Sequence, residues 1–371
     1  MKYMCQLDSL RTFAVFAVMM QHFKLFDESL RLETGSMGVH LFFVLSGYLI
    51  TSILLKNREE VDRGVASTNG KLFEFYVRRS LRIFPVYYFT IVIVYMLNAT
   101  NARDSVWWNV LYLSNIKAAI AGSWPESHVI PHFWSLCVEE QFYLFWPWFI
   151  LFIPKKYLEK GIWALIGLAP LLRFMVSVAL PPDKGLASYT MTPCCFDFLG
   201  FGGLLAFYSL PAKENTKQAL MRFGVYAGLP LFILLFIAKK YLGVAPYFTF
   251  LDGTFEAMFY VWVIGKTSVG VSGFVGDILN FKPFVNIGKV SYGIYLFHPF
   301  VGGFVNKIIK LKFGVGHDHG AVFFVVCSAL TIVVATISWL LFEKRINDLK
   351  SRIGRTANAT VNTNAAYDVS G

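Results

Sequence analysis

Residues 7–23, LDSLRTFAVFAVMMQHF, make an apolar run close to the length of a membrane crossing, yet they include Asp8, Arg11 and His22. An ionisable side chain in hydrocarbon costs about 3 kcal/mol or more, so it faces protein or a water-filled space and carries a function. Arg11 and His22 are eleven positions apart, which on a helix is about three turns plus roughly 20°, so both leave one face. At about 1.5 Å per residue they are roughly 16 Å apart along the axis. One helix thus presents a guanidinium toward one side of the membrane and an imidazole toward the other.

The surrounding chain supports that setting. Of 371 residues, 56% are hydrophobic and 15% charged, against about 25% charged in a soluble domain, and the mean hydropathy is +0.54. Apolar windows near 9–27, 37–55, 80–98, 133–153, 161–181, 195–211, 222–239, 249–265, 284–305 and 321–342 predict an all-α polytopic membrane protein of about ten transmembrane helices. With the amino terminus inside, most of the 34 Lys and Arg residues fall in inside segments, and both termini are cytoplasmic. The net charge of +11 is therefore read as topology plus an anionic-ligand site, not as nucleic-acid binding, because no exposed basic stripe has interleaved aromatics. Five cysteines at these spacings give neither a metal site nor a disulfide framework. Asp8 and Arg11 interrupt what would be the apolar core of a signal peptide. The 99–132 connection holds Trp107, Trp108 and Trp124 and predicts a short helix along the interface. Residues 1–346 are expected to form one membrane domain and 347–371 a largely disordered cytoplasmic tail.

Polar groups inside the windows mark candidate site residues. Glu139, Glu140 and Gln141 lie roughly 10 Å below the outer start of the fourth window, and His298 falls in the outer half of the ninth. His22, His298 and the two glutamates are expected at a similar level on three helices. At least one of the adjacent carboxylates is expected to pair with an arginine or histidine. The alternative makes Glu139 or Glu140 a structural partner of Arg11 or Arg173. Ser46 reads as a small packing residue beside Gly47, and Trp134, Tyr143 and Tyr292 as core or belt aromatics. In FYVRRSLRIFP (75–85), Arg78 and Arg82 share a helix face with Arg79 adjacent, and Pro85 is placed in the first turns of its span. A planar, permanently charged guanidinium suits phosphate, though the same spacing fits a topology anchor on anionic lipid.

Several ordered motifs together resemble the acyltransferase-3 family of integral membrane O-acyltransferases. They are LDSLRTFAV with Arg11 and, after ten intervening residues, His22; GVHLFFVLSGYLI (38–50); FYVRRSLRIFP; FWSLCVEEQFYLFWP (133–147); CFDFLGFGGLLA (195–206); VSYGIYLFHP (290–299); and FEKRI (342–346). Ser9 stands where the family commonly has Gly. The resemblance implies acyl transfer, usually of acetyl, from cytoplasmic acyl-CoA to a hydroxyl of a glycan or glycan precursor, in the cytoplasmic (inner) membrane. No cofactor is then permanently bound; acetyl-CoA serves as donor, and the partners are the carbohydrate or glycolipid acceptor and membrane lipid. It makes His22 the essential histidine, Arg11 its paired arginine, Arg78, Arg79 and Arg82 candidates for the CoA phosphates, and Glu139 and Glu140 the acidic pair. The chain is expected to be of the stand-alone type, without a carboxyl-terminal esterase-like domain.

On that footing His22 is expected to act as general base on the acceptor hydroxyl, with Glu139 or Glu140 orienting the imidazole. Tyr292, Trp134 or Ser46 could donate to the acyl oxygen, and Tyr143 and His298 could contact substrate. A transporter or flippase of an anionic solute or lipid-linked sugar is the alternative in another class. Paired halves with broken helices would mark it, and none is visible in the sequence.

Overall fold

A computed structural model describes residues 3–26, 32–97, 103–124, 130–181, 184–245, 248–314 and 319–348. Among these residues there is helix and no strand. Each of the ten apolar windows overlaps helix where it is described, and the window 284–305 covers two helices that meet at Val290. In chain order the helices are α1 (Cys5–His22), α2 (Thr34–Asp62) and α3 (Thr68–Leu97); two short helices, α4 (Val106–Val110) and α5 (Ser114–Ala121); and α6 (Phe133–Phe152) and α7 (Lys155–Ala179). A five-residue α8 (Leu186–Thr190) precedes α9 (Phe196–Tyr208). Then follow α10 (Glu214–Phe223), α11 (Leu229–Tyr241), α12 (Asp252–Val269), α13 (Gly273–Asn280), α14 (Lys282–Lys289), α15 (Ser291–Phe313), α16 (Ala321–Ser338) and α17 (Lys344–Asp348).

Four helical stretches are long and apolar enough to cross a membrane, namely Thr34–Asp62, Lys155–Ala179, Pro211–Tyr241 and Ala321–Ile346; α12 and α13 make a fifth if the bent pair counts as one span. The connection expected to hold one interfacial helix holds two, α4 and α5, with Trp107 exposed. The tail expected to be disordered lies, from residue 349, outside the described residues. Pro85 is an internal residue of α3, not an early one, because that helix begins twelve residues before its apolar window.

The centre of the bundle is built from α1, α2, α6, α9 and α12. A lipid-soluble bundle gains little from burying apolar surface, so its helices associate through close backbone approach and polar contacts. Gly47 of α2 lies against the Leu199 carbonyl of α9, and Gly202 of α9 against the Val44 carbonyl of α2. A β-carbon at either place would collide with backbone, so the crossing requires glycine on both sides. Ser46, read as part of that packing, instead turns its hydroxyl away to Glu139 at 2.6 Å.

The polar face of α1 is used for docking. Between α12 and α13 the chain bends by 81°, with Gly270 and Gly273 both at positive φ, conformations that a β-carbon disfavours. The Gln6 amide spans the bend, donating to the Val271 carbonyl at 2.8 Å and accepting from the Val271 amide at 2.8 Å. Ser9 donates to the Leu279 carbonyl at 2.6 Å, and Thr12 to the Phe284 carbonyl at 2.5 Å. The serine at position 9 is thus a buried donor that anchors α13. Arg173 is likewise structural. Its guanidinium grips Asp197 of α9 in two parallel bonds and donates to Thr254 at 2.8 Å and the Phe250 carbonyl at 3.0 Å.

Candidate active site

Two cavities open around α1. One, about 720 Å³ and named inner only for its place beside the amino-terminal half of α1, is walled by α1, α2, α3, α6 and α15 and receives Arg11, Arg78, Arg79 and Arg82, together with Ser46, Glu139, Glu140, Tyr143 and Tyr292. The outer one, about 1740 Å³, receives His22, His132, Trp134 and His40. Val39 and Tyr295 line both. The Tyr295 hydroxyl is held there by Ser135 at 2.5 Å and the His132 carbonyl at 3.1 Å. The expected separation of Arg11 and His22 along one helix is realised as membership of two cavities at its two ends.

In the inner cavity the arginines differ. Arg78 pairs with Glu74 at 2.5 Å. Lys71 is shared by Glu60 at 2.6 Å and Glu74 at 3.2 Å, and Arg11 is paired with Asp8 one turn earlier. Arg79 and Arg82 make no ion pair with any described residue; Arg79 lies over the Tyr143 ring, 4.6 Å from its centre, and Arg82 is open to the cavity. Beside them runs a chain of donors, from the Tyr143 hydroxyl to Ser46 at 3.0 Å and from Ser46 to the Glu139 carboxylate at 2.6 Å. Two unpaired guanidiniums in a cavity are what a multiply charged phosphate group needs.

Two expectations are corrected here. Glu139 and Glu140 do not meet His22; they line the inner cavity, and His22 bonds to His298. The reason is depth. His132, directly before α6, is in contact with His298, and the glutamates follow seven and eight residues later, roughly 10 Å further along the axis. Nor do Glu139 and Glu140 partner Arg11 or Arg173, whose acids are Asp8 and Asp197.

At the outer cavity His22 is the last residue of α1, open to the cavity. Its Nδ1 lies 2.5 Å from His298 Nε2. The two rings are within 5° of parallel with centres 4.8 Å apart. That spacing belongs to rings meeting edge to edge, so the contact is an in-plane hydrogen bond and not a stack. His298 is fully buried, and its Nδ1 faces the Tyr295 carbonyl at 2.6 Å. A third imidazole, His132, sits with its centre 5.2 Å from that of His298. Trp134 lies in this cavity against Tyr189 (4.7 Å between centres) and Trp124 (6.2 Å). On another wall His40 Nδ1 meets Glu256 at 2.7 Å, and Glu256 also accepts from Tyr260 at 2.7 Å. No cluster of His, Cys, Asp or Glu suited to a metal occurs among the described residues.

His132, His40 and Glu256 escaped the reading of the sequence. His132 lies in a connection, between Pro131 and the start of α6, where depth cannot be counted. His40 is enclosed in an apolar motif, and Glu256 is a lone acid one turn into α12. Their signal is the same as that of His22, an ionisable residue in an apolar stretch, but their partners are 216 residues apart in the case of His40 and Glu256.

A family model described as "Acyltransferase domain" matches residues 6–341. The chain is 32% identical to the peptidoglycan O-acetyltransferase OatA of Listeria monocytogenes, over 80% of this chain and 49% of that protein. It is 27% identical to the O-acetyltransferase OatA of Staphylococcus aureus strain NCTC 8325, over 93% of this chain and 57% of that protein. The chain thus spans about half the length of these curated relatives. No solved structure matches.

Proposed function

The chain belongs to this acyltransferase family, and from that premise we propose that it moves an acetyl group from cytoplasmic acetyl-CoA to a hydroxyl of a glycan at the far side of the cytoplasmic membrane. The amino terminus lies inside, the inner cavity opens to the cytoplasm and the outer cavity away from it. Of the observations in support, one carries the reading. A cavity with two unpaired guanidiniums and a cavity with an open imidazole share two lining residues, Val39 and Tyr295.

Arg79 and Arg82 hold the phosphates of the donor, with Arg78 and Lys71 at the rim already committed to glutamates. The acceptor occupies the larger outer cavity, whose Trp124, Trp134 and Tyr189 offer aromatic faces to sugar rings and whose paired charges offer polar edges to hydroxyls. His22 takes the proton as the hydroxyl oxygen attacks the thioester carbonyl. The carbon–oxygen bond forms, the carbon–sulfur bond breaks, and the thiolate leaves toward the inner cavity. The attack requires the thioester end of the donor to reach past Val39 and Tyr295 to the acceptor hydroxyl, and holding both substrates in one complex then makes the reaction effectively unimolecular, which is worth several powers of ten in rate. The relatives named for peptidoglycan make glycan strands the first acceptor to test.

The test uses the purified full chain in proteoliposomes with radiolabelled acetyl-CoA and isolated peptidoglycan strands. Label transferred to the glycan, and lost in a folded His22→Ala variant, supports the reading. Uptake of label without transfer, or wild-type turnover in His22→Ala, ends it.

A further inference from the structure

Resting on the reading of His22 as base, we infer that His298 is its positioning residue, holding His22 in the one neutral tautomer whose Nε2 lone pair faces the acceptor. The assignment follows from the donors and acceptors in turn. A carbonyl oxygen only accepts, so the 2.6 Å contact from His298 Nδ1 to the Tyr295 carbonyl places a hydrogen on that nitrogen. His298 is fully buried, and no carboxylate touches it, His22 or His132 among the described residues. A second proton on His298 would be an uncompensated buried charge. Its Nε2 is therefore an acceptor.

The 2.5 Å contact from His22 Nδ1 to that nitrogen then has its hydrogen on His22. Each neutral imidazole carries one hydrogen, so His22 Nε2 is left with a lone pair. That nitrogen has no partner among the described residues, and the ring is open to the outer cavity. A free imidazole in water exchanges between tautomers; here the backbone of α15 decides which one is present, acting through His298. The device differs from a carboxylate-backed histidine, in which the backing acid also stabilises the imidazolium as it forms. Here the backing group is neutral, and the in-plane bond supplies orientation with less stabilisation of the imidazolium than a carboxylate gives. The His40–Glu256 pair elsewhere in the same cavity has the carboxylate-backed form.

The test has a spectroscopic arm and a kinetic arm, both on the full chain in detergent or nanodiscs. With ¹⁵N-labelled histidine, and with His22 assigned by difference against His22→Gln among the seven histidines, neutral-pH spectra should show a protonated Nδ1 and an unprotonated Nε2 at His22. The opposite tautomer, or an imidazolium, overturns the inference. In the acetyl-transfer assay, His298→Leu should lower kcat at least a hundredfold with KM for acetyl-CoA changed less than twofold. His298→Gln, which returns an acceptor oxygen near the position of Nε2, should keep at least a tenth of wild-type kcat. A His298→Leu enzyme near wild-type rate, or a His298→Gln enzyme no better than His298→Leu while both bind acetyl-CoA normally, overturns it. If the spectra give the stated tautomer while His22→Gln still transfers acetyl, the base assignment fails and the tautomer stands.

Discussion

Arg78, Arg79 and Arg82 have the same chemistry and differ in company. Arg78 is half exposed and neutralised by Glu74, whereas Arg79 and Arg82 make no ion pair within 4 Å among the described residues and share their cavity with Glu139 and Glu140. A hydrogen bond to a charged group is worth about 1.5–3 kcal/mol, or about 10- to 100-fold in affinity. Arg79→Ala and Arg82→Ala should each weaken acetyl-CoA binding by about that factor, and Arg78→Ala by less than about threefold, read by calorimetry on the purified protein. Equal losses at all three positions would mean that the cluster acts as a diffuse field. This difference was not legible in FYVRRSLRIFP, because spacing shows which arginines share a face and not which acids reach them. The same holds for the outer site. That His22 and His298 stand at one level was legible from counting residues along two spans that both run outward. That Glu139 and Glu140 stand elsewhere was not, because a depth uncertain by two turns is enough to move a side chain from one cavity to the other.

At the scale of elements, apolar runs located all the long helices, because hydrocarbon admits little other than helix. What they could not locate are the points where helices cross, and there the decisive residues are small or paired. Gly202→Ala places a β-carbon against the Val44 carbonyl, and overpacking of this kind costs about 1–3 kcal/mol. The variant should unfold at lower temperature in detergent than Gly167→Ala, where the added carbon meets nothing. Asp197 ties α9 to α7 and α12 through Arg173 and Thr254. Breaking a buried pair from one side costs about 3–5 kcal/mol, since the remaining charge is stranded. Asp197→Ala should therefore be more damaging than Gly202→Ala in the same melt. An Arg173→Met, Asp197→Leu double variant that recovers stability relative to Asp197→Ala would show that the charge left behind, and not the lost contact, was the cost.

At the scale of the whole molecule, the two cavities must face opposite sides of the membrane if a donor made inside is to acylate a glycan outside. The charge distribution along the chain argues for that arrangement, and it yields a direct measurement. Asn57 lines the inner cavity and Ser188 the outer one. Of the five free cysteines, Cys5 is partly exposed and the other four are buried, so a Cys5→Ser background removes the accessible native thiol. In that background Asn57→Cys should react with a membrane-impermeant maleimide only in inside-out vesicles, and Ser188→Cys only in right-side-out vesicles or intact cells. If the inner cavity receives the donor as proposed, saturating acetyl-CoA should slow labelling at position 57 and leave position 188 unchanged. Labelling of both cysteines from one side would make the pair of cavities a single channel mouth. The acetyl group would then have no bilayer to cross.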